Sequence, residues 1–302
     1  MAGSRGKDVR ELTNHLNQGK LRELHPCFGA RNNSGRIHLP VCPGCNIECN
    51  FCSRKINDHE NRPGVASSIL APEEAVETVS RALELCPDIT VAGIAGPGDT
   101  LASDRALETF ALINERFPHL IKCMSTNGLL LKERADEVIR AGVNTLTVTV
   151  NAIDPEIQAK IISRIYYHRR RYEGVEGAAI LIDNQLEGIR KIAEAGITVK
   201  VNSVLIAELN KEHIKEIAKA VSGRGAALYN IIPLIPQHKM AHYAEPECSD
   251  IDGARREAEE YIEVFRHCQR CRADAVGIPG KQDYGDLLYL NRLNHQETFS
   301  HG

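Results

Sequence analysis

Cys45, Cys49 and Cys52 are spaced C-x3-C-x2-C, and Cys42 precedes them by three positions. Three thiolates this close together can each bind one iron of a 4Fe-4S cube and leave its fourth iron without a protein ligand. An open coordination position is what separates a catalytic metal from a structural one. Phe51, directly before the last cysteine, adds an apolar wall. The same four thiols also suit a closed four-thiolate zinc site, or a cluster that only carries electrons. The order differs from the ferredoxin run C-x2-C-x2-C-x3-C-P, and zinc ribbons separate their pairs by a longer hairpin. Spacing alone leaves all three open.

The elements around this loop set what it can do. Arg36–Val41 (RIHLPV) is short and alternating, and reads as a strand that delivers the cysteine loop. Ala71-Pro72-Glu73-Glu74 opens a helix, with proline in its first turn and acids at its positive end. Further strands are expected at Ile89–Ala95, Leu120–Met124, Thr145–Val150, Thr198–Leu205 and Tyr229–Pro233. Helices are expected at Lys7–Leu21, Asp104–Arg116, Lys132–Ala141, Pro155–Arg164, Gly177–Ala195, Lys211–Ser222 and Asp252–His267. Strands alternating with helices of this length indicate parallel βαβ units. Six such strands are too few for a closed eight-stranded barrel, so the expected fold is α/β, a partial (β/α)6 TIM barrel. Its functional residues should lie at the C-terminal ends of the strands. The expected organisation is an N-terminal extension over 1–36, the barrel over 37–236 and a C-terminal extension over 237–302. Gln237–Ser249 reads as a long loop, and both ends as loosely ordered.

Composition narrows the class. At 302 residues, 42% hydrophobic and 25% charged, the chain can bury a large core. A formal net charge of -3 gives no electrostatic reason to expect nucleic acid or an anionic membrane as partner. No apolar run approaches the ~20 residues that span a bilayer, and the start, MAGSRGKDVRELTNHL, lacks the apolar core of a signal peptide. A cytoplasmic location is expected. Ten cysteines in such a chain, several at metal-ligand spacing, indicate metal or iron–sulfur use rather than a disulfide framework.

The strand ends carry polar residues where a core strand would be apolar. They are Gly93–Asp99 (GIAGPGD), Ser125–Gly128, Thr147–Asn151 and Lys200–Ser203. Together with the C-x3-C-x2-C loop these resemble the radical S-adenosylmethionine superfamily, and within it the maturases of the nitrogenase cofactor. HPCF, RIHLPV, CNIECNFC, ENRPG, GIAGPGD, STNGL, VTVNAIDPE and CQRCRADAVG are similar to that family's signature segments, in order, from His25 to about Gly277. The chain resembles the short form, without an added C-terminal carrier-like domain.

The resemblance implies that Cys45, Cys49 and Cys52 hold the cluster whose open iron binds S-adenosylmethionine, with Glu60 and Arg62 as an acid–arginine pair beside it. Gly98, Thr149 and Val201 align with co-substrate contacts. Gly96, Asp99, Asn127 and Asn151 complete the expected cofactor-binding set. Two further 4Fe-4S precursor clusters are implied, fused into an eight-iron core around a carbide taken from the methyl group of S-adenosylmethionine. His25, Cys27 and Cys123 are the candidate ligands of one, and Cys268 with Cys271, expected just after the last helix, of the other. The implied partners are an iron–sulfur cluster donor, a carrier or scaffold of nitrogenase assembly, and an electron donor such as a ferredoxin. Other readings are a radical maturase acting on a peptide or small molecule, and a non-catalytic iron–sulfur electron carrier.

Other residues have plainer readings. Cys86 is expected as a small core residue and Cys248 in a mobile loop. Cys42 departs from the family's small non-ligating residue and is an accidental neighbour or an extra ligand. His38 is a supporting group or an alternative nitrogen ligand. The basic aromatic run Tyr166–Tyr172 reads as a solvated helix end or a docking face for an acidic carrier protein.

Overall fold

A computed structural model describes residues 18–29, 34–53, 55–289 and 299–300. Numbered in chain order, the strands up to Gly277 are β1 (Gly35–His38), β2 (Gly44–Cys45), β3 (Ile47–Cys49), β4 (Ile89–Ile94), β5 (Ile121–Thr126), β6 (Thr145–Thr149), β7 (Ile162–Tyr167), β8 (Arg170–Glu173), β9 (Thr198–Leu205), β10 (Leu228–Pro233) and β11 (Val276–Gly277). The centre is a curled sheet of seven of them, in the order β10-β9-β6-β5-β4-β1-β11. The first six run parallel, as the alternation of strands and helices requires, and β11 lies antiparallel on β1. Each of the six expected strands is present.

The helices cover the outer face. The helix Pro72–Leu85 begins as its sequence indicates, with the Glu74 carboxylate accepting the Ala71 N–H at 2.8 Å. It buries Ala75, Val76, Val79 and Ala82, one apolar stripe at helical spacing. The main core lies between this layer and the sheet and extends into the C-terminal segment through Ala254, Ile262, Val276 and Tyr289. Among the described residues no helix is long and apolar enough to cross a membrane.

Three expectations change. The helix from Pro155 ends at Ile161, and Ile162–Tyr167 forms strand β7, hairpinned to β8 (Arg170–Glu173). The turn residues His168 and Arg169 have φ of 50° and 63°, the left-handed pair of a tight hairpin. The run Tyr166–Tyr172 is therefore a hairpin and not a helix end. The β-branched and aromatic residues of β7 (Ile162, Ile165, Tyr166 and Tyr167) favour a strand, and β7 pairs antiparallel with β3 (Ile47–Cys49) of the cysteine loop. Second, the helix expected over Asp252–His267 occupies Cys248–Ala258. Beyond it the chain lies against β10, where Tyr229 N–H donates to Glu263 O at 2.9 Å and Phe265 N–H to Tyr229 O at 2.7 Å. The buried edge of β10 needs these partners, which overrides helix propensity. Cys248 thus starts a helix, exposed, and Cys268 and Cys271 follow a strand-like segment. Third, β5 runs on to Thr126, which puts Cys123 in mid-strand and not at its end.

The expected N-terminal helix is present over Gln18–Leu24, and its part before residue 18 lies outside the described residues. The expected loose order of the two ends falls largely outside them as well.

Candidate active site

The polar strand ends and the cysteine loop enclose one cavity of about 360 Å³. Cys45, Cys49 and Cys52 all line it. The loop that carries them is fixed on every side. Gly98 N–H donates to Cys42 O at 2.7 Å and Asp99 N–H to Gly44 O at 2.8 Å, joining the β4 turn to the loop by backbone alone. A Cβ on Gly98 would lie 1.9 Å from Gly44 O, so only glycine allows this approach. Asn127 Nδ2 donates to Asn46 Oδ1 at 2.7 Å and reaches Cys45 Sγ at 3.6 Å. Glu48, between the first two cysteines, pairs with Arg164 of β7 at 2.7 Å and with Lys239. Arg62 closes the far end, donating to Ser53 O and Glu60 Oε2, each at 2.8 Å. Burial works to raise the Glu60 pKa, but the bond and charge of Arg62 outweigh it and hold the carboxyl below its ordinary value.

The expected co-substrate residues divide. Gly98, Asp99, Asn127, Thr149 and Asn151 line the cavity. Asp99 is engaged in holding the loops, since its carboxylate accepts the N–H groups of Leu101 (3.0 Å) and Asn127 (2.6 Å) and the Thr126 hydroxyl. Gly96 is a turn residue at φ 134° beside the lining. Val201 is fully buried in the outer core. Strand alternation turns its neighbours Lys200 and Asn202 to the cavity instead, so only its backbone is available there. Sequence reasoning placed Asn202 among the polar strand ends but missed Gln158, Gln185 and Asn230; all four are on the lining. Gln158 Oε1, Gln185 Oε1 and Asn230 Oδ1 are buried with no hydrogen-bond partner among the described residues. Amides scattered over three elements leave no local motif.

A second set of thiols lines the same cavity, comprising Cys27, Cys123, Cys268 and Cys271. Cys27, Cys123 and Cys268 pack on an apolar cluster that includes Phe28, Ile121 and Phe265. Burial raises the Cys27 thiol to about 11; the Lys200 charge opposes this, while Cys123, Cys271 and Cys268 add to it. Burial raises Cys123 too, again against Lys200. Arg36 donates to Cys271 Sγ at 3.1 Å.

The two histidines differ. His25 is buried off the lining; Nδ1 accepts the Cys27 N–H at 3.2 Å and Nε2 lies 3.3 Å from Thr145 Oγ1. In the neutral ring Nε2 is then the protonated nitrogen and no lone pair remains. His38 lines the cavity, with Nδ1 at 2.8 Å from Arg272 O. A carbonyl only accepts, so Nδ1 carries the proton and Nε2 keeps its lone pair. Burial, with the Arg36 charge, lowers the His38 pKa to about 4, which keeps the ring neutral. Gly93 pairs with both His38 and Cys123, and a Cβ there would meet His38 Cδ2 at 3.0 Å.

Cys42 and Cys86 are core residues. Among the described residues no three His, Cys, Asp or Glu side chains converge on one metal ion. The thiols of a cube bind separate irons and need no such convergence.

The chain matches the Radical SAM superfamily over residues 39–221. It is 48% identical over 262 residues to the FeMo cofactor biosynthesis protein NifB of Methanocaldococcus infernus, covering 85% of this chain and 86% of that protein. Against the protein of the same name from Methanocaldococcus jannaschii the identity is 47%, covering 85% and 87%. The Bradyrhizobium diazoefficiens protein of that name is 44% identical over 85% of this chain, which spans 54% of its length. Among solved structures, Streptococcus suis SuiB bound to S-adenosylmethionine superposes with a TM-score of 0.59 at 11% identity, covering 78% of this chain and 51% of that one. Methylornithine synthase PylB gives a TM-score of 0.51 at 14% identity, covering 86% and 72%. At these identities the structural likeness bears on the fold, a curled parallel half-barrel.

Proposed function

The chain belongs to the radical SAM superfamily and, within it, to the family of the FeMo cofactor biosynthesis protein NifB, and from that membership we propose that it joins two 4Fe-4S clusters and inserts a carbide to form the eight-iron precursor of the nitrogenase cofactor. The observation that carries this reading is the presence of two separate thiol sets on one cavity of about 360 Å³. A radical enzyme with a single cluster needs only the first.

The family implies a 4Fe-4S cluster and S-adenosylmethionine, and the residues present fit both. Three thiols of one pinned loop line the cavity, and partnerless amide oxygens belong to residues on its wall, as a polar co-substrate requires. The chemistry such a reduced cluster supplies is one-electron cleavage of S-adenosylmethionine to a 5′-deoxyadenosyl radical. Cys45, Cys49 and Cys52 hold the cluster, and the Asn127 amide donates toward the first sulfur. Thr149, Asn151, Gln158 and Gln185 orient the co-substrate. Arg62 and Glu60 fix the end of the loop.

The precursor clusters are substrates and occupy the second thiol set. Cys27 and Cys123 serve one, Cys268 and Cys271 the other. His38 supplies the nitrogen ligand in place of His25, because its lone pair is available at the cavity wall. The wider reading, a lyase-type cofactor maturase supplied by a cluster donor, a carrier and an acidic electron donor, follows from this role.

Anaerobic iron and sulfide analysis with EPR, before and after addition of S-adenosylmethionine, tests the proposal. The expected result is ~12 irons per chain, with signals that change on addition. About four irons with the same response would remove cofactor assembly and keep the radical enzyme.

A further inference from the structure

Lys200 is the least expected residue in the cavity. It is 5% exposed and lies on the lining. Among the described residues its ammonium has a single weak hydrogen bond, to Cys27 O at 3.4 Å, and it sits 5.2 Å and 5.5 Å from the ring centroids of Phe28 and Phe265. It pairs with no carboxylate among the described residues. Arg36 is not on the lining but is also buried, at 4% exposure, and reaches the wall through Cys271, to whose Sγ it donates at 3.1 Å; it also donates to Gly277 O at 2.9 Å, and its Nε has no partner among the described residues. It shares a strand face with His38, two positions on. A buried cation without a counter-charge is strongly disfavoured, and aromatic faces offset only part of that cost.

We propose that Lys200 and Arg36 form an anion subsite that holds an iron–sulfur cluster substrate by charge. A 4Fe-4S core held by two thiolates is neutral when oxidised and carries one negative charge once reduced, and any further thiolate or sulfide ligand adds another; a reduced or sulfide-bearing cluster is the anion that Lys200 lacks. Lys200 lies across the curled sheet from Arg36, with β6, β5 and β4 between their strands and Cys123 on the middle one. Neither side chain is a ligand for iron. They retain an anion while its bonds to cysteine and histidine are exchanged, which a site that must release its cargo requires and permanent ligation would prevent. Lys200 is thus a positioning residue for the substrate, and the inference rests on the functional reading above.

The test uses the full chain in a Cys45→Ala, Cys49→Ala, Cys52→Ala background, so that bound iron reports the second thiol set alone. Lys200→Met and Lys200→Arg are compared with Lys200 in it, metal-free and after anaerobic reconstitution. Metal-free Lys200→Met should melt higher, because the uncompensated charge is gone. After reconstitution it should hold at most about half the iron of the Lys200 chain, with a more negative midpoint potential, while Lys200→Arg keeps most of both. Equal iron and equal potential in Lys200→Met would overturn the anion subsite and leave the functional reading intact. No iron in the Lys200 chain of this background would overturn both. If sulfite raises the melting point of the metal-free Lys200 chain but not of Lys200→Met, while iron loading is equal, the site serves a small sulfur oxyanion and the proposal fails.

Discussion

Gly98 and Asn127 connect single atoms to the cluster loop. Gly98 is required by the carbonyl of Gly44 and not by local turn geometry, since an added Cβ would overlap that oxygen. Gly98→Ala must separate the two backbones and lose their paired hydrogen bonds, each worth about 0.5–1.5 kcal/mol. The expected outcome is a lower melting temperature and loss of the visible absorbance of the first cluster. Asn127 ties Cys45 Sγ to Asn46 through one amide. Hydrogen bonds to ligand sulfur raise a cluster's potential. Asn127→Leu should shift the midpoint of the first cluster to more negative values in an EPR-monitored titration, and an unchanged midpoint would show that the 3.6 Å contact carries no charge stabilisation. Between the histidines, His38→Ala should abolish nitrogen coupling in pulsed EPR of the second-set clusters, whereas His25→Ala should retain it.

The β7–β8 hairpin is the element that the expected helix concealed. Through β3 it braces the backbone between Cys45 and Cys49, and its outer strand presents an open edge. Arg169 and Arg170 are exposed there without an acidic partner among the described residues, while Arg171 is paired with Glu173. Two unpaired cations this close to the cluster loop suit an acidic electron donor, whose approach such charges accelerate. Charge reversal at both positions should slow reduction by an acidic donor protein about ten-fold at low salt and leave reduction by a small neutral reagent unchanged. A matching loss with both reductants would place the effect in the loop and not at a docking face.

Over the whole molecule, the segment from 263 to 277 completes what six strands leave open. Residues 263–265 lie along β10 and residues 276–277 along β1, so the chain between them spans the gap from the last parallel strand to the first. Cys268 and Cys271 ride on that span, which brings them to the cavity. It is anchored by Arg272, which donates to Glu60 O (2.6 Å) and Asn57 O (2.8 Å), and by Asp274, which accepts the Ser67 N–H at 2.6 Å. Asp274 is almost fully buried, and its loss strands the Arg272 charge. Asp274→Ala should therefore cost about 3–5 kcal/mol in thermal or denaturant unfolding. Iron bound through the C-terminal cysteines should fall before that of the first cluster.

The sequence by itself determined the six parallel strands, because buried β-branched runs separated by amphipathic helices admit few other arrangements. It also carried the C-x3-C-x2-C loop and the polar strand ends, whose chemistry is written in residue type and spacing. Only the tertiary structure decided which imidazole has a free lone pair, since that depends on Arg272 O beside His38 and on Thr145 beside His25. The same holds for Lys200, in the sequence one polar residue of a strand end, whose lack of a carboxylate partner among the described residues only packing shows, and for the hairpin, which forms because the cysteine loop offers a backbone edge to pair with. Local propensity and spacing act over a few residues. Hydrogen-bond partners, burial and closure of the barrel join residues more than a hundred positions apart, and only packing of the whole chain fixes them.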